Sequence, residues 1–169
     1  MDAAELRAMQ APIKERYKQD PSAAVITLKA KGSTDSEGLT CKVETGRALA
    51  IAGLHPATGG SGLELCSGDM LLEALVACAG VTLKSVATAV EVPLTTGNVI
   101  AEGDLDFRGT LGVDKEAAVG FREIRLRFEI GTDAPQDKLD LLLKLTERYC
   151  VVYQTIKNGP KVSVSMQRI

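Results

Sequence analysis

Between residues 70 and 90 apolar side chains take nearly every angle of a helix: Met70, Leu71, Leu72, Leu75, Val76, Cys78, Val81, Leu83, Val86 and Val90. A helix apolar all round is surrounded by protein. One small sheet covers one side of it, so the pattern predicts that the other side meets a copy of itself. Ala77, Ala79, Gly80 and Ala87 would let helices approach closely. Ser67 and Asp69 stand where helix caps are expected, and Pro93 ends the run.

The rest of the chain alternates between the two periods. Leu6, Met9, Ile13 and Tyr17 recur at helical spacing over residues 3–19, within an N-terminal helical segment 1–20 that Asp20-Pro21 closes. Pro12 inside that pattern predicts a kink or break near residue 11. Val25–Ala30 and Leu39–Val43 alternate as strands about a GSTDSEG turn, and Ala48–Ala52 is a third short run. Residues 97–111 read as a long strand with Val99, Ala101, Gly103, Leu105, Phe107 and Gly109 on one face. Residues 112–120 are its hairpin loop, and Ile124, Leu126, Phe128 and Ile130 form the returning strand. Asp133-Ala134-Pro135-Gln136 opens a helix whose inner face carries Leu139, Leu142, Leu143, Thr146, Tyr149 and Cys150. Val151–Ile156 continues as a turn or second helix. Asn158-Gly159-Pro160 breaks it, and Val162, Val164 and Met166 form a last strand. Helices and strands come in separate blocks, which predicts an α+β fold with an antiparallel sheet. The 169 residues suit a single domain.

A net charge of −2 and a pI near 5.5, with the two signs interspersed, offer no basic stripe for nucleic acid and no polybasic face for anionic lipid. The charged N-terminus lacks an apolar signal core. Glu73 and Lys84 interrupt the apolar helix, so no membrane span is expected and the cytoplasm is the expected location. The stretch His55–Gly62 is glycine-rich, yet the Lys-Ser/Thr of a phosphate loop does not follow it. Cys41, Cys66, Cys78 and Cys150 contain no CxxC, and His55 is the single histidine, so neither a metal site nor a cofactor is expected. Cys41 reads as a buried strand residue, Cys66 and His55 as ordinary loop residues. Cys78, in the apolar helix, and Cys150, at the end of another, remain as the candidates for reactive chemistry.

The Gly59-Gly60 loop, the polar helix start, the long helix with Ala77-Cys78, the strand hairpin and the helix ending in Glu147-x-x-Cys150 follow one another in a characteristic order. In this the chain resembles the osmotically inducible protein C and organic hydroperoxide resistance (OsmC/Ohr) superfamily over roughly residues 20–169. The resemblance implies an intertwined homodimer with two long helices buried at its centre and antiparallel sheets wrapped around them. It also implies a peroxidase chemistry. Cys78 matches the cysteine that attacks a hydroperoxide, and Cys150 matches the one that resolves the sulfenic acid into a disulfide. A thiol reductant such as a lipoylated protein then opens that disulfide.

The chain departs from the peroxidase pattern at three points. The first loop, Gly32–Gly38, holds no arginine. The position ten before Cys78 is Gly68 instead of glutamate, with Asp69 one residue off. The usual Cys-Pro is Cys150-Val151. Apolar burial raises a thiol's pKa from about 8.5, so a positive group has to come from elsewhere. Arg47 is the nearest by fold position, with Arg122 and Arg148 as others and Asp69 as the carboxylate. Two functions from different classes fit. One is a cysteine-dependent reductase of organic hydroperoxides, with Leu71, Leu75 and facing residues of the partner holding an alkyl tail. The other is a non-catalytic dimeric binding or redox-sensing protein with an apolar interface pocket. A purely structural dimer would have no pocket. A positive residue within hydrogen-bond reach of the Cys78 sulfur favours the enzyme; an unaccompanied sulfur favours the binder.

Overall fold

The computed structural model describes residues 2–25, 27, 31–34, 41–44 and 49–168. Helix α1 (Ala3–Gln19) opens with a capping box: the Glu5 N–H donates to Asp2 Oδ1 and the Asp2 N–H to Glu5 Oε2, both at 2.8 Å. It runs through Pro12 as one helix, so of the expected kink or break the break does not occur. Ala8, whose carbonyl loses its helical donor to the proline, is exposed like Pro12 itself, so water can satisfy that oxygen.

Strands β1 (Lys31–Thr34), β2 (Cys41–Glu44), β3 (Leu49–Gly53) and the two-residue β4 (Leu65–Cys66) form one sheet in that order. β1 falls on residues assigned from the sequence to the turn. The register pairs Lys31 with Glu44 through Thr34 with Cys41, and the residues between are 35–40. Those residues, and most of Val25–Ala30, lie outside the described residues. β3 and β4 pair in parallel, so this sheet is not purely antiparallel as expected. Between them, Pro56–Thr58 forms a short 3₁₀ turn capped by His55 and Gly59. His55 Nδ1 accepts from the Ala57 N–H at 3.0 Å, and its ring stacks on Phe107 with centroids 5.0 Å apart. Gly60 is required there, because a Cβ would collide with the Leu54 carbonyl.

Helix α2 (Ser67–Ala89) follows directly from β4. Its N-cap is Cys66, and Asp69 lies within the first turn, so neither Ser67 nor Asp69 is the cap. One stripe of α2 is buried: Leu75, Ala79, Leu83, Val86 and Ala87. By length and composition α2 could cross a membrane, yet this stripe is packed into the chain's own core. Ala79 and Ala87 belong to that core, and a Cβ on Gly80 would meet the Val99 side chain at 3.6 Å. These small residues therefore allow close approach to elements of the same chain. Helix α2 ends in a Schellman motif: Val92 N–H donates to Ala87 O at 2.9 Å and Glu91 N–H to Thr88 O at 3.3 Å. Glu91 takes the left-handed conformation at φ 59°, a position that favours glycine.

A second sheet pairs β5 (Thr96–Asp104) with β6 (Glu123–Gly131), antiparallel, from Thr96↔Gly131 to Asp104↔Glu123. β5 stops well short of residue 111. Asp106 caps the single-turn helix α3 (Phe107–Thr110) by accepting from the Arg108 N–H at 3.1 Å, which takes Phe107 and Gly109 out of the strand. The Arg108 guanidinium holds the Asp106 carboxyl down at about 2. Helix α4 (Gln136–Tyr149) is N-capped by Pro135, without the side-chain cap expected from Asp133. Helix α5 (Val151–Asn158) follows after one residue. Leu142, fully buried, joins Leu83, Val86, Ala87 and Val92 in the core between α2, α4 and β6, and Phe128 and Ile130 pack on it. No strand is seen at 161–168. Val162, Val164 and Met166 are 79%, 92% and 100% exposed, and the segment pairs with neither sheet.

Replacing Glu91 by glycine removes left-handed strain and costs an exposed 3.9 Å ion pair with Arg7 that contributes little. The expected outcome is a gain of about 1 kcal/mol in unfolding free energy, measured by urea titration. Unchanged or lower stability would show the cap to be unstrained.

Candidate active site

Cys78 lies on α2 beside the buried stripe, three residues after Leu75 and next to Ala79, and is itself partly buried. Cys150 is 1% exposed and is the single residue between α4 and α5. Its extended backbone (φ −73°, ψ 107°) turns the chain from one helix into the next. Hydrogen bonds hold the junction. The Cys150 N–H donates to Thr146 O at 3.0 Å and the Gln154 N–H to Cys150 O at 2.9 Å. Gln154 Nε2 reaches back to Glu147 O at 2.7 Å. Thr146, 1% exposed, satisfies its hydroxyl on Leu142 O at 2.8 Å. The inward position expected for Cys150 is what the structure contains.

Because α5 packs against α2, its first turn comes up to Cys78. The two thiols influence each other's ionisation and are not equivalent. Burial pushes the Cys78 thiol up. Hydrogen bonding from the Val152 N–H, the Cys150 S–H and the Val151 N–H outweighs it, with a smaller share from Thr82, and holds the thiol below its ordinary value. The Thr82 hydroxyl donates to the Cys78 carbonyl at 2.8 Å. Cys150 goes the other way. Burial raises it, and its role as donor to Cys78 keeps its proton in place, against the Tyr153 and Val152 N–H groups that favour ionisation. Cys78 is thus the sulfur that ionises first, and Cys150 the one that remains a thiol beside it.

The other candidates stand apart from the sulfurs. Asp69 is exposed, nine residues and about 13 Å of helix rise before Cys78, in a groove with Leu72, Glu73, Val76, Ala77 and Ala101. Arg47 lies outside the described residues. Arg148 stacks over the Tyr149 ring at 5.7 Å, and Arg122 approaches Asp106 at 4.0 Å. Among the described residues, the groups that act on the Cys78 sulfur include no arginine. Main-chain N–H groups take that place, and they were missed because a side-chain inventory does not count them. The predicted helix after Cys150 was the available signal, since the first turn of any helix carries unpaired donors.

A cleft of about 700 Å³ runs alongside. Leu71 and Leu75 line it as expected, but the facing wall comes from the same chain: Ile124, Leu126 and Phe128 of β6, Leu143 of α4 and Ile156 of α5. Arg122, Glu123, Glu147, Tyr153 and Lys157 add a polar side. Gly103 on β5 makes room for the Phe121 ring in that wall; a Cβ there would come within 2.5 Å of it. Leu75 precedes Cys78 by three residues and Glu147 precedes Cys150 by three, so the cleft reaches to within one helical turn of each cysteine.

Residues 59–165 match the family model described as OsmC-like protein. The chain belongs to that family. Solved structures agree in fold. An OsmC-like protein from Mycoplasma pneumoniae superposes with a TM-score of 0.65 at 16% identity, over 79% of this chain and 89% of its own. Organic hydroperoxide resistance proteins from Legionella pneumophila and Elizabethkingia anophelis give 0.61 and 0.63 at 17% and 15% identity. Each covers 80% of this chain and 92% and 91% of its own. Among curated proteins none matches the sequence. The mixed helix-and-strand architecture with small sheets is that of OsmC-like proteins.

The unequal sulfurs of this OsmC-like protein have a direct readout. Peptide-resolved alkylation by iodoacetamide should give Cys78 a midpoint below that of a free thiol, about 8.5, and below that of Cys150. Cys150→Ala, which deletes the S–H donor, should raise the Cys78 midpoint. A Cys78 midpoint at or above the free value would contradict the arrangement.

Proposed function

We propose that this OsmC-like protein is a thiol-dependent reductase of organic hydroperoxides, with Cys78 attacking and Cys150 resolving. The pair of sulfurs, one held toward thiolate and the other held as thiol against it, is the observation that supports this reading most directly. The Cys78 thiolate attacks the terminal peroxide oxygen. The O–O bond breaks, an S–O bond forms, and the alkoxide takes up a proton to leave as alcohol. The Cys150 sulfur then displaces hydroxide from the Cys78 sulfenic acid, giving a disulfide and water. A dithiol reductant, such as a lipoylated protein, returns both thiols by exchange and leaves oxidised. No metal or cofactor enters these steps. The cytoplasm, where such reductants are kept reduced, is the proposed setting.

The cleft favours an organic substrate. Its volume suits a small molecule and its walls are mainly apolar, as an alkyl tail requires. The names of the Legionella and Elizabethkingia structural relatives point the same way. The formed cleft weighs against a purely structural dimer; at the Cys78 sulfur, among the described residues, the expected positive side chain is absent, and main-chain amides together with the Cys150 thiol weigh against the unaccompanied sulfur of a passive binder. Adding cumene hydroperoxide should remove free thiol from the wild type stoichiometrically and yield a Cys78–Cys150 disulfide peptide by mass spectrometry. Cys78→Ser should abolish that product. Oxidation confined to Cys41 or Cys66 would sink the two-cysteine mechanism.

The proposal includes a homodimer built around α2. Val81 is 69% exposed and Leu71 41% exposed in the single copy, on a helix whose buried stripe takes up one side. A second copy would cover them, and its sheet edge would give the 161–168 segment the partner it lacks here. Sedimentation at micromolar concentration should find a dimer. Val81→Asp should prevent folding as well as association, because obligate dimers often have no stable monomer. A well-folded monomer in either protein would overturn this part.

A further inference from the structure

We propose that the Tyr153 hydroxyl gives the leaving alkoxide its proton, with the Lys157 ammonium holding that hydroxyl ready. The proposal rests on the reductase reading above, whose first step releases an alkoxide and leaves the source of its proton open. Expelling an alkoxide is slow unless a proton reaches it as the O–O bond breaks. The polar lining of the cleft is Arg122, Glu123, Glu147, Tyr153 and Lys157. A guanidinium does not part with a proton in proteins, and a carboxylate accepts. Arg122 and Glu123 are also engaged elsewhere, Arg122 approaching Asp106 at 4.0 Å and Glu123 pairing with Arg125 at 3.2 Å. That leaves the phenol of Tyr153 and the ammonium of Lys157.

These two side chains form one unit. Lys157 follows Tyr153 by one turn of α5, and its Nζ donates to the Tyr153 hydroxyl oxygen at 3.5 Å while lying 5.3 Å from the ring centroid. Among the described residues this is the hydroxyl's one hydrogen bond. The oxygen accepts in it, so the phenolic hydrogen is free to be given. Tyr153 stands one turn after Cys150 and is half-buried, whereas Lys157 lies a turn farther along and is exposed. The phenol is therefore the member of the pair nearer the resolving cysteine. A positive charge beside its oxygen stabilises the phenolate that remains after transfer. The step balances. The Cys78 thiolate takes the terminal OH, the O–O bond breaks, Tyr153 protonates the alkoxide, and the alcohol leaves. The phenolate then regains its proton from water.

The test separates leaving groups. Tyr153→Phe keeps the ring in the cleft wall and removes the hydroxyl. Its rate of Cys78 oxidation by cumene hydroperoxide should fall about a hundredfold. Oxidation by perbenzoic acid, an aromatic oxidant of similar size whose leaving benzoate needs no proton, should keep the wild-type rate. So should alkylation of Cys78 by iodoacetamide, which expels iodide. Lys157→Met should show the same selective loss to a smaller degree. A Tyr153→Phe protein as fast as the wild type with cumene hydroperoxide would overturn the proposal. A loss shared equally by perbenzoic acid and iodoacetamide would overturn it too, because a merely structural role slows all three reactions. The two readings fail differently. A wild type inert toward cumene hydroperoxide yet alkylated normally would sink the reductase reading, and this proposal with it. A reactive wild type with an unaffected Tyr153→Phe would sink this proposal alone.

Discussion

Burial of one stripe of α2 is the constraint on which the rest of the site depends. Leu75, Ala79, Leu83, Val86 and Ala87 face inward, and α4 supplies Leu142 to meet them. Full burial of a leucine is worth about 1.5–3 kcal/mol, so rotation or sliding of α2 is strongly opposed. Cys78 sits beside this stripe, and its place in space is set by packing that involves no sulfur. Because α4 is locked to α2, the residue that follows its end is held too, and that residue is Cys150. The meeting of the two sulfurs is a consequence of core packing.

Within that frame the electrostatics are a contest between burial and hydrogen bonding. Burial alone would leave both thiols protonated. The outcome differs between them because the contacts are directional. Cys78 receives N–H groups and an S–H, whereas Cys150 gives its proton away toward Cys78 while receiving amides of its own. A pair of equally buried, equally solvated cysteines would titrate together and assign no roles. Here one extended residue between two helices is enough to separate them. It ends α4, starts α5, and presents a fresh set of unpaired amides at the point where α2 passes.

Taken as one copy, the described residues leave apolar surface uncovered. The face of α2 away from the stripe and the segment after Gly159 are the two conspicuous cases. The small residues that seemed suited to a helix–helix contact between copies are instead used inside the chain, Gly80 against Val99 and Ala79 and Ala87 in the core. Larger residues such as Val81 are left for whatever covers the outer face.

Periodicity was enough to recognise α2, the β5–β6 pairing, α4 and the inward position of Cys150, because each rests on a repeated choice between apolar and polar residues over several turns or pairs. It located β5 but overran its end, since the single Asp106 cap that diverts the chain into α3 is one residue against a run of alternation. It gave Gly32–Thr34 to a turn, because register there is set by pairing with β2 and not by the strand's own pattern. It predicted a last strand at Val162–Met166 from an alternation that is real, but a strand exists only where another edge accepts its hydrogen bonds. At the site, the sequence singled out the two sulfurs by elimination and the order of motifs named the family. The groups that make the sulfurs unequal were not readable as residue types. They are peptide N–H groups, present at every non-proline position, and tertiary packing alone decides which of them are unpaired and aimed at Cys78.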